Sequence, residues 1–245
     1  MKKIILLIGV IIMLIAAHVA FGQDQEGVIT YEISINVHRT LPADRQDMKA
    51  MVPEFRTFKQ QLFFTATESL YKPLIEEEEE DDTENSGGRI RRVFRQRIEI
   101  YCNAPSGKVT SLQEFMGKDY LIDDSVRMAP WKFRTETKTI TGYECKQAFY
   151  TDGERKQTIT AWYTDRLRPF LGPDRFNTLP GAILAVDFNS GERVIVAKKI
   201  ELRPLKKNEL NVPTRGQKTT QAEFRKMVDE QMKKRREGGR MIIQN

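Results

Sequence analysis

The chain has 245 residues, 40% of them hydrophobic, and its 40 basic and 34 acidic residues give a net charge of +6. This charge is small for the length, and acids are interspersed among the bases, which argues against a nucleic-acid-binding protein. The length suits one large β domain.

Residues 1–22 have the pattern of a secretory signal peptide. Lys2 and Lys3 give a positive start, residues 4–17 are apolar apart from one glycine, and small residues precede a cut after Gly22. The apolar stretch is shorter than the ~20 residues that span a bilayer, which favours cleavage over a retained anchor. We therefore expect a periplasmic or secreted mature chain with no stable transmembrane segment, which would carry 38 basic and 34 acidic residues, a net charge of +4.

The mature chain is patterned mainly as β-strands. Residues 31–38 alternate apolar and polar side chains, which predicts a half-buried strand, and a second strand is predicted over residues 61–71. A short helix over residues 44–52 is predicted between them. Further strands are predicted over residues 90–102, 119–123, 131–152 (two strands broken near Thr141), 158–164, 182–188 and 193–202. The last two form a hairpin around Asn189-Ser190-Gly191.

Residues 76–88 form an acidic segment. Eight of the nine positions from 76 to 84 are acids, and Asn85-Ser86-Gly87-Gly88 follows. Such a block repels itself and has nothing to bury, and it lacks the alternating ligands and central glycine of a calcium loop. We therefore predict a disordered, solvated connection rather than a calcium site.

Residues 206–245 differ from the rest of the chain. Thr220 and Glu223 have the spacing of a capping box, apolar residues follow at helical spacing, and residues 233–236 are all basic. A helix packed on the sheet, with a frayed basic tail, is favoured over a helix that binds a membrane surface. The predicted organisation is a signal peptide over 1–22, a β domain over 23–205, and a basic C-terminal helix and tail over 206–245.

Several segments resemble the GLPGLI family of exported Gram-negative proteins. They are residues 131–133, 137–146, 161–164, 172–176 and the motif segment 178–184, which reads TLPGAIL. The motif departs from the family name because Thr178 replaces the first glycine and Ala182 the second leucine. The likeness covers roughly residues 28 to 205. It implies an exported, sheet-rich protein without an established activity, and the family is sometimes encoded near TonB-dependent outer-membrane receptors.

The connection that carries the motif is predicted to fold back across a sheet face. Pro169 and Pro173 restrict the backbone, Gly172 permits close approach, and the apolar side chains are too many to leave in water. One interpretation is a lid that lines a ligand site; the other, which we favour, is a structural plug that completes the core. The candidate residues are Trp131, Trp162, Phe170, Phe176, Leu179, Pro180 and Gly181, with Trp131 and Trp162 as the expected packing partners of the loop.

The chain has two cysteines, Cys102 and Cys145. In an oxidising compartment a single disulfide between them is plausible. The alternative is two separate buried thiols.

Residues that would support catalysis are scarce, and no catalytic residue is assigned. His38 is the one histidine of the mature chain, and it falls on the polar side of a predicted strand without a nucleophile motif. One histidine without clustered cysteines gives no metal site, and no cofactor fingerprint occurs. Among the many carboxylates, Asp165, Asp174, Asp187 and Glu144 lie nearest the motif.

These observations predict a mainly β fold, a curved antiparallel sheet or half-barrel with a short N-terminal helix and a C-terminal amphipathic helix. We expect a non-enzymatic binding or accessory protein of the cell envelope, whose partner is an apolar or peptide-like ligand or an outer-membrane protein. The alternative is an envelope hydrolase that uses carboxylates near the motif loop. A third class, a structural assembly partner, predicts a large exposed apolar patch.

Overall fold

The computed structural model describes residues 26–41, 43–74 and 98–241, with the side chains of the C-terminal helix described as far as residue 234. The predicted signal peptide and the acidic segment 76–88 lie outside the described residues.

The described chain is mainly β, as predicted from the alternating pattern. Its twelve strands are β1 Gly27–Asn36, β2 Phe55–Phe64, β3 Glu68–Pro73, β4 Ile98–Asn103, β5 Lys108–Phe115, β6 Lys118–Ser125, β7 Lys132–Ile140, β8 Tyr143–Asp152, β9 Gln157–Thr164, β10 Ala182–Phe188, β11 Arg193–Leu202 and β12 Gln217–Thr220. The helices are α1 Val37–Thr40, a 3-10 helix Ala43–Ala50, and α2 Gln221–Met241. No helix within these described residues has the length and apolar character to cross a membrane.

All twelve strands belong to one open sheet, in the order β12-β6-β5-β4-β3-β2-β1-β11-β10-β9-β8-β7. Neighbouring strands are antiparallel, except that β12 runs parallel to β6. The first strand lies in the interior of the sheet, between β2 and β11. Val28 and Ile29, whose side chains point to opposite faces, are both buried, so both faces of the sheet are covered at the start of β1.

The sheet is strongly curved. Asp174 accepts a hydrogen bond from Arg193 on β11 at 3.3 Å, while its neighbour Arg175 donates to Asp124 on β6 at 3.0 Å. Six strand spacings separate β11 from β6, and a flat sheet would place them roughly 29 Å apart. The four side chains of these two bonds would have to be fully extended in one line to span that distance, and Ile100 on β4 and Ala148 on β8 belong to one core cluster, so the sheet curls around them. Its two end strands, β7 and β12, do not pair with each other.

Two segments cover the inner, concave face. The connection between β9 and β10 packs onto it through Leu167, Leu171 and Leu179, and α2 covers the end near β12. The capping box is confirmed, because the Thr220 N–H donates to Glu223 and the Glu223 N–H donates back to the Thr220 hydroxyl, at 3.0 and 3.2 Å. Phe224 of α2 then packs at 5.4 Å from the ring of Tyr120. The favoured prediction for this helix, packing on the sheet, is therefore correct.

The structure corrects two of the predicted strands. The strand predicted over residues 61–71 is two strands, because the chain reverses at 65–67 and the Thr65 N–H donates to the Glu68 carbonyl oxygen. The predicted first strand ends at Asn36, whose side chain caps α1 by accepting from the Arg39 N–H. His38 therefore lies in α1, with Nε2 at 3.0 Å from the Val52 carbonyl oxygen.

Candidate functional site

The motif loop, residues 165–181, joins β9 to β10 and is packed into the concave face. Leu171 forms a parallel bridge with Ala182, and its carbonyl oxygen accepts from the Ile183 N–H at 2.8 Å. The side chains of Leu171 and Leu179 are both 0% exposed and belong to the main core. This burial favours the plug interpretation of the loop over the lid.

Two glycines allow this close packing. A side chain at Gly172 would overlap the Phe176 carbonyl oxygen, and one at Gly181 would overlap the carbonyl oxygen of Thr164. Neither position tolerates a Cβ atom without a backbone shift. The glycine at the centre of the motif is therefore needed because the backbone of the loop lies directly against the backbone of β9.

Trp131, which precedes β7, contacts the motif loop through Thr178 and Phe176. Trp131 Nε1 donates to the Thr178 hydroxyl at 2.9 Å, and the ring packs edge-on against Tyr150 at 4.7 Å. Phe176 lies 6.5 Å from the Trp131 ring and 5.5 Å from Phe188. These contacts connect the residue that precedes β7 to the centre of the motif loop.

The other candidate residues do not join this cluster. Phe170 is 46% exposed, and Pro180 is also exposed on the loop surface. Trp162 lies on the opposite, outer face of β9, because it alternates with Ala161 and Tyr163, which point into the core. The expectation that Trp162 packs against the motif loop is thus wrong.

A buried arginine that the sequence did not indicate anchors the loop to β3. Arg168 is 4% exposed, its Nη2 donates to the Glu68 carbonyl oxygen at 2.9 Å, and the guanidinium lies 6.0 Å from the Phe64 ring centroid. Its Nε has no hydrogen-bond partner among the described residues. Burial lowers the Arg168 pKa to about 10, because removal from water disfavours the charged form.

A second arginine ties the loop to three elements. Arg175 donates to Asp124 at 3.0 Å, to the Ser111 hydroxyl at 3.1 Å and to Gln221 of α2 at 2.8 Å. Partial burial alone would raise the Asp124 pKa, but the Ser125 N–H and the nearby arginines hold it below its ordinary value. The loop is therefore held by charge-assisted bonds as well as by apolar burial.

The carboxylates near the motif contact bases and backbone groups rather than one another. Asp165 pairs with Lys146 at 2.6 Å, Asp174 with Arg193 at 3.3 Å, and Asp187 accepts from the Gly191 N–H at 2.7 Å. Glu144 lines a surface cleft. Within the described ranges, no group of three or more acidic, histidine or cysteine side chains is placed to hold a metal ion.

The two cysteines are separate buried thiols, so the disulfide prediction is wrong. Cys102 on β4 and Cys145 on β8 are both free and buried. Asn177 of the motif loop donates to the Cys102 sulfur at 3.2 Å.

An aromatic and basic surface lies on the outer face of β7, β8 and β9. This outer patch consists of Arg134, Lys138, Gln147, Phe149 and Trp162. Lys138 Nζ lies 4.3 Å from the Trp162 ring centroid, and the Arg134 guanidinium lies 4.1 Å from that of Phe149. Arg134 also donates to Gln147 at 3.4 Å. Both bases are exposed and both rings are half-buried.

A comparison with solved structures finds the same fold in PNGF-II. Its structures in the P21 and C2 space groups give TM-scores of 0.57 and 0.55, at 15% and 16% sequence identity. Each likeness covers 83% of this chain but only 33% and 32% of the PNGF-II chain, so this chain spans about a third of that protein's length. At this identity the likeness concerns the fold alone. A comparison with family models finds no match, and a comparison with curated proteins finds none.

Proposed function

We propose that this protein is an exported envelope protein of the GLPGLI type, and that it acts without catalysis by binding a peptide-like segment of an outer-membrane protein. The observation that carries the proposal is the contrast between the two faces near β9. The inner face is occupied by the chain's own motif loop, whereas the outer patch is open and combines aromatic rings with cations.

The filled inner face argues against an apolar ligand held in the concavity. A guest there would have to displace Leu171 and Leu179, which are fully buried, and break the bonds that Arg168 and Arg175 make with the sheet. Displacing one buried leucine costs about 2 kcal/mol or more. Recognition at an open surface avoids that cost.

The outer patch has the composition of a protein-binding surface. Trp and Arg are enriched among the residues that dominate binding energy at interfaces, and Trp162 and Arg134 lie there beside Phe149. The cations stacked on the rings hold the side chains in place before a partner arrives. Because Lys138 and Arg134 are both basic, the partner segment is expected to be acidic.

The proposal is tested by capture of envelope proteins with the purified mature chain. Lys138→Glu reverses a charge in the outer patch, and Lys118→Glu makes the same change at an exposed position on β6 at the other end of the sheet. We expect the wild-type chain and the Lys118→Glu variant to enrich the same outer-membrane protein, and the Lys138→Glu variant to lose it. Equal capture by both variants would refute a role for the patch.

The same preparation separates binding from catalysis. If the captured protein is cleaved or its modifications are removed on incubation, the hydrolase alternative gains support. In that case substitution of Asp174 or Asp187 by asparagine should stop the reaction. Stable capture without any change in the partner's mass supports the accessory role.

A further inference from the structure

We propose that the free edge of β7 accepts an extended acidic segment of a partner as one more antiparallel or parallel strand of the sheet. This inference rests on the proposed function and specifies how the peptide-like partner is held. It concerns the backbone of β7, next to the outer patch.

The two ends of the sheet differ in exposure. At one end, β12 is four residues long and leads directly into α2, which packs against β6. At the other end, β7 is nine residues long, and every residue from Lys132 to Thr139 is exposed. In the described part of the chain, β8 is the one strand that pairs with β7. One side of β7 therefore presents hydrogen-bonding groups to solvent.

The hairpin geometry identifies the backbone groups that face this free edge. Thr141 and Gly142 both have positive φ, +48° and +83°, and form a two-residue turn between Ile140 and Tyr143. The pair that flanks such a turn exchanges both hydrogen bonds, and bonded and non-bonded pairs then alternate. The N–H and C=O groups of Thr137 and Thr139 consequently point away from β8. They offer two donors and two acceptors to an added strand.

An irregularity limits the accessible edge to its second half. The β7–β8 register shifts between Phe133 and Thr137, so that β7 has two more residues there than β8. Such bulges interrupt regular pairing and protect edge strands from indiscriminate association. The docking segment is therefore short, centred on residues 137–140.

Charge selects the occupant of the edge. Lys132, Arg134 and Lys138 outnumber Glu136 along β7, giving a net charge of +2. A second copy of the chain would place these bases against one another, which is unfavourable for paired strands. An acidic segment instead places carboxylates beside Lys138 on the outer face. Its alternate residues would lie beside Thr137 and Thr139, where β-branched side chains pair well.

The test uses two fluorescein-labelled eight-residue peptides, one alternating glutamate with valine and the other lysine with valine. Binding is measured by fluorescence anisotropy with the mature protein and two variants of the free-edge residue. Thr139→Pro removes the outward N–H, a change that an edge strand tolerates on its solvent side. Thr139→Val retains the N–H and the β-branched shape, and is the matched control.

We expect the glutamate peptide to bind and the lysine peptide not to bind. Thr139→Pro should weaken binding about tenfold or more, and Thr139→Val less than about twofold. Amide hydrogen exchange in the unsubstituted protein gives a second measurement, in which the Thr137 and Thr139 amides should become protected when the peptide is added. Equal binding of both peptides, or exchange that stays unchanged at saturation, would overturn the inference. If envelope capture still depends on Lys138 in that case, the proposed function stands and only the strand addition fails.

Discussion

Truncation of Leu179 tests whether the motif loop is part of the core. Its side chain is 0% exposed, within the main core. Leu→Ala removes three buried carbon groups, worth about 2.4 kcal/mol of transfer free energy, and the cavity left behind raises the total to about 3–5 kcal/mol. For a chain of this size, the melting temperature should fall by about 6–20 °C.

The matched control is Phe170→Ala in the same loop. Phe170 is 46% exposed, so its truncation should change the free energy of unfolding by less than about 1 kcal/mol. Urea unfolding followed by tryptophan fluorescence is a suitable assay, because Trp131 is bonded to Thr178 next to the substituted position. If Leu179→Ala costs no more than Phe170→Ala, the loop is a loosely held lid, and the plug interpretation fails.

Three further predictions concern individual side chains. Arg168→Met breaks the bond to the Glu68 carbonyl oxygen that anchors the loop and should lower the urea midpoint, whereas a raised midpoint would show that the cost of burying the cation, whose Nε is unpartnered among the described residues, outweighs that bond. Burial raises the pKa of the Cys102 and Cys145 thiols, that of Cys145 to about 11. A thiol reagent at pH 8 should therefore label both cysteines only after unfolding, and rapid labelling of the folded protein would contradict this. The Arg203 side chain, with the Lys206 N–H, lowers the Glu209 pKa from 4.5 to about 2. The ionised Glu209 therefore stabilises the folded state above pH 4.5, and this contribution to the free energy of unfolding is lost as the pH falls toward 2. Glu209→Gln should remove that portion of the acid-unfolding profile, measured by circular dichroism, and an unchanged profile would show that Arg203 does not stabilise the fold through this pair.

The strands were predictable where apolar and polar residues alternate along the chain. Residues 158–164 and the hairpin around Asn189-Ser190-Gly191 were predicted from local pattern alone, and all three turn residues have the positive φ that such a turn requires. The strand β5 was missed because polar side chains such as Ser111 occupy inward positions, where Arg175 supplies a partner. That bond depends on a residue 64 positions away, which no local pattern encodes.

Other errors have identifiable physical causes. β12 consists of polar residues and forms because β6 offers an unpaired edge, so tertiary context decides it. Trp162 was assigned to the wrong side although the alternation of Ile159, Ala161 and Tyr163 already placed it on the opposite face. Arg168 gave no signal, since a charge in a loop is expected to be solvated.

The interior position of β1 has a consequence for how the chain folds. Tyr31 is aligned with Gln60 on β2 and with Ala197 on β11. During synthesis, β2 is therefore available for pairing early, whereas β11 is available only near the end. Pairings between such distant residues form slowly. Until β11 is available, an apolar strand carrying Ile29 and Ile33 has an unoccupied side that other chains could join. The nascent protein should therefore be most vulnerable to misassembly before its last third has emerged, and most dependent on chaperones during that interval.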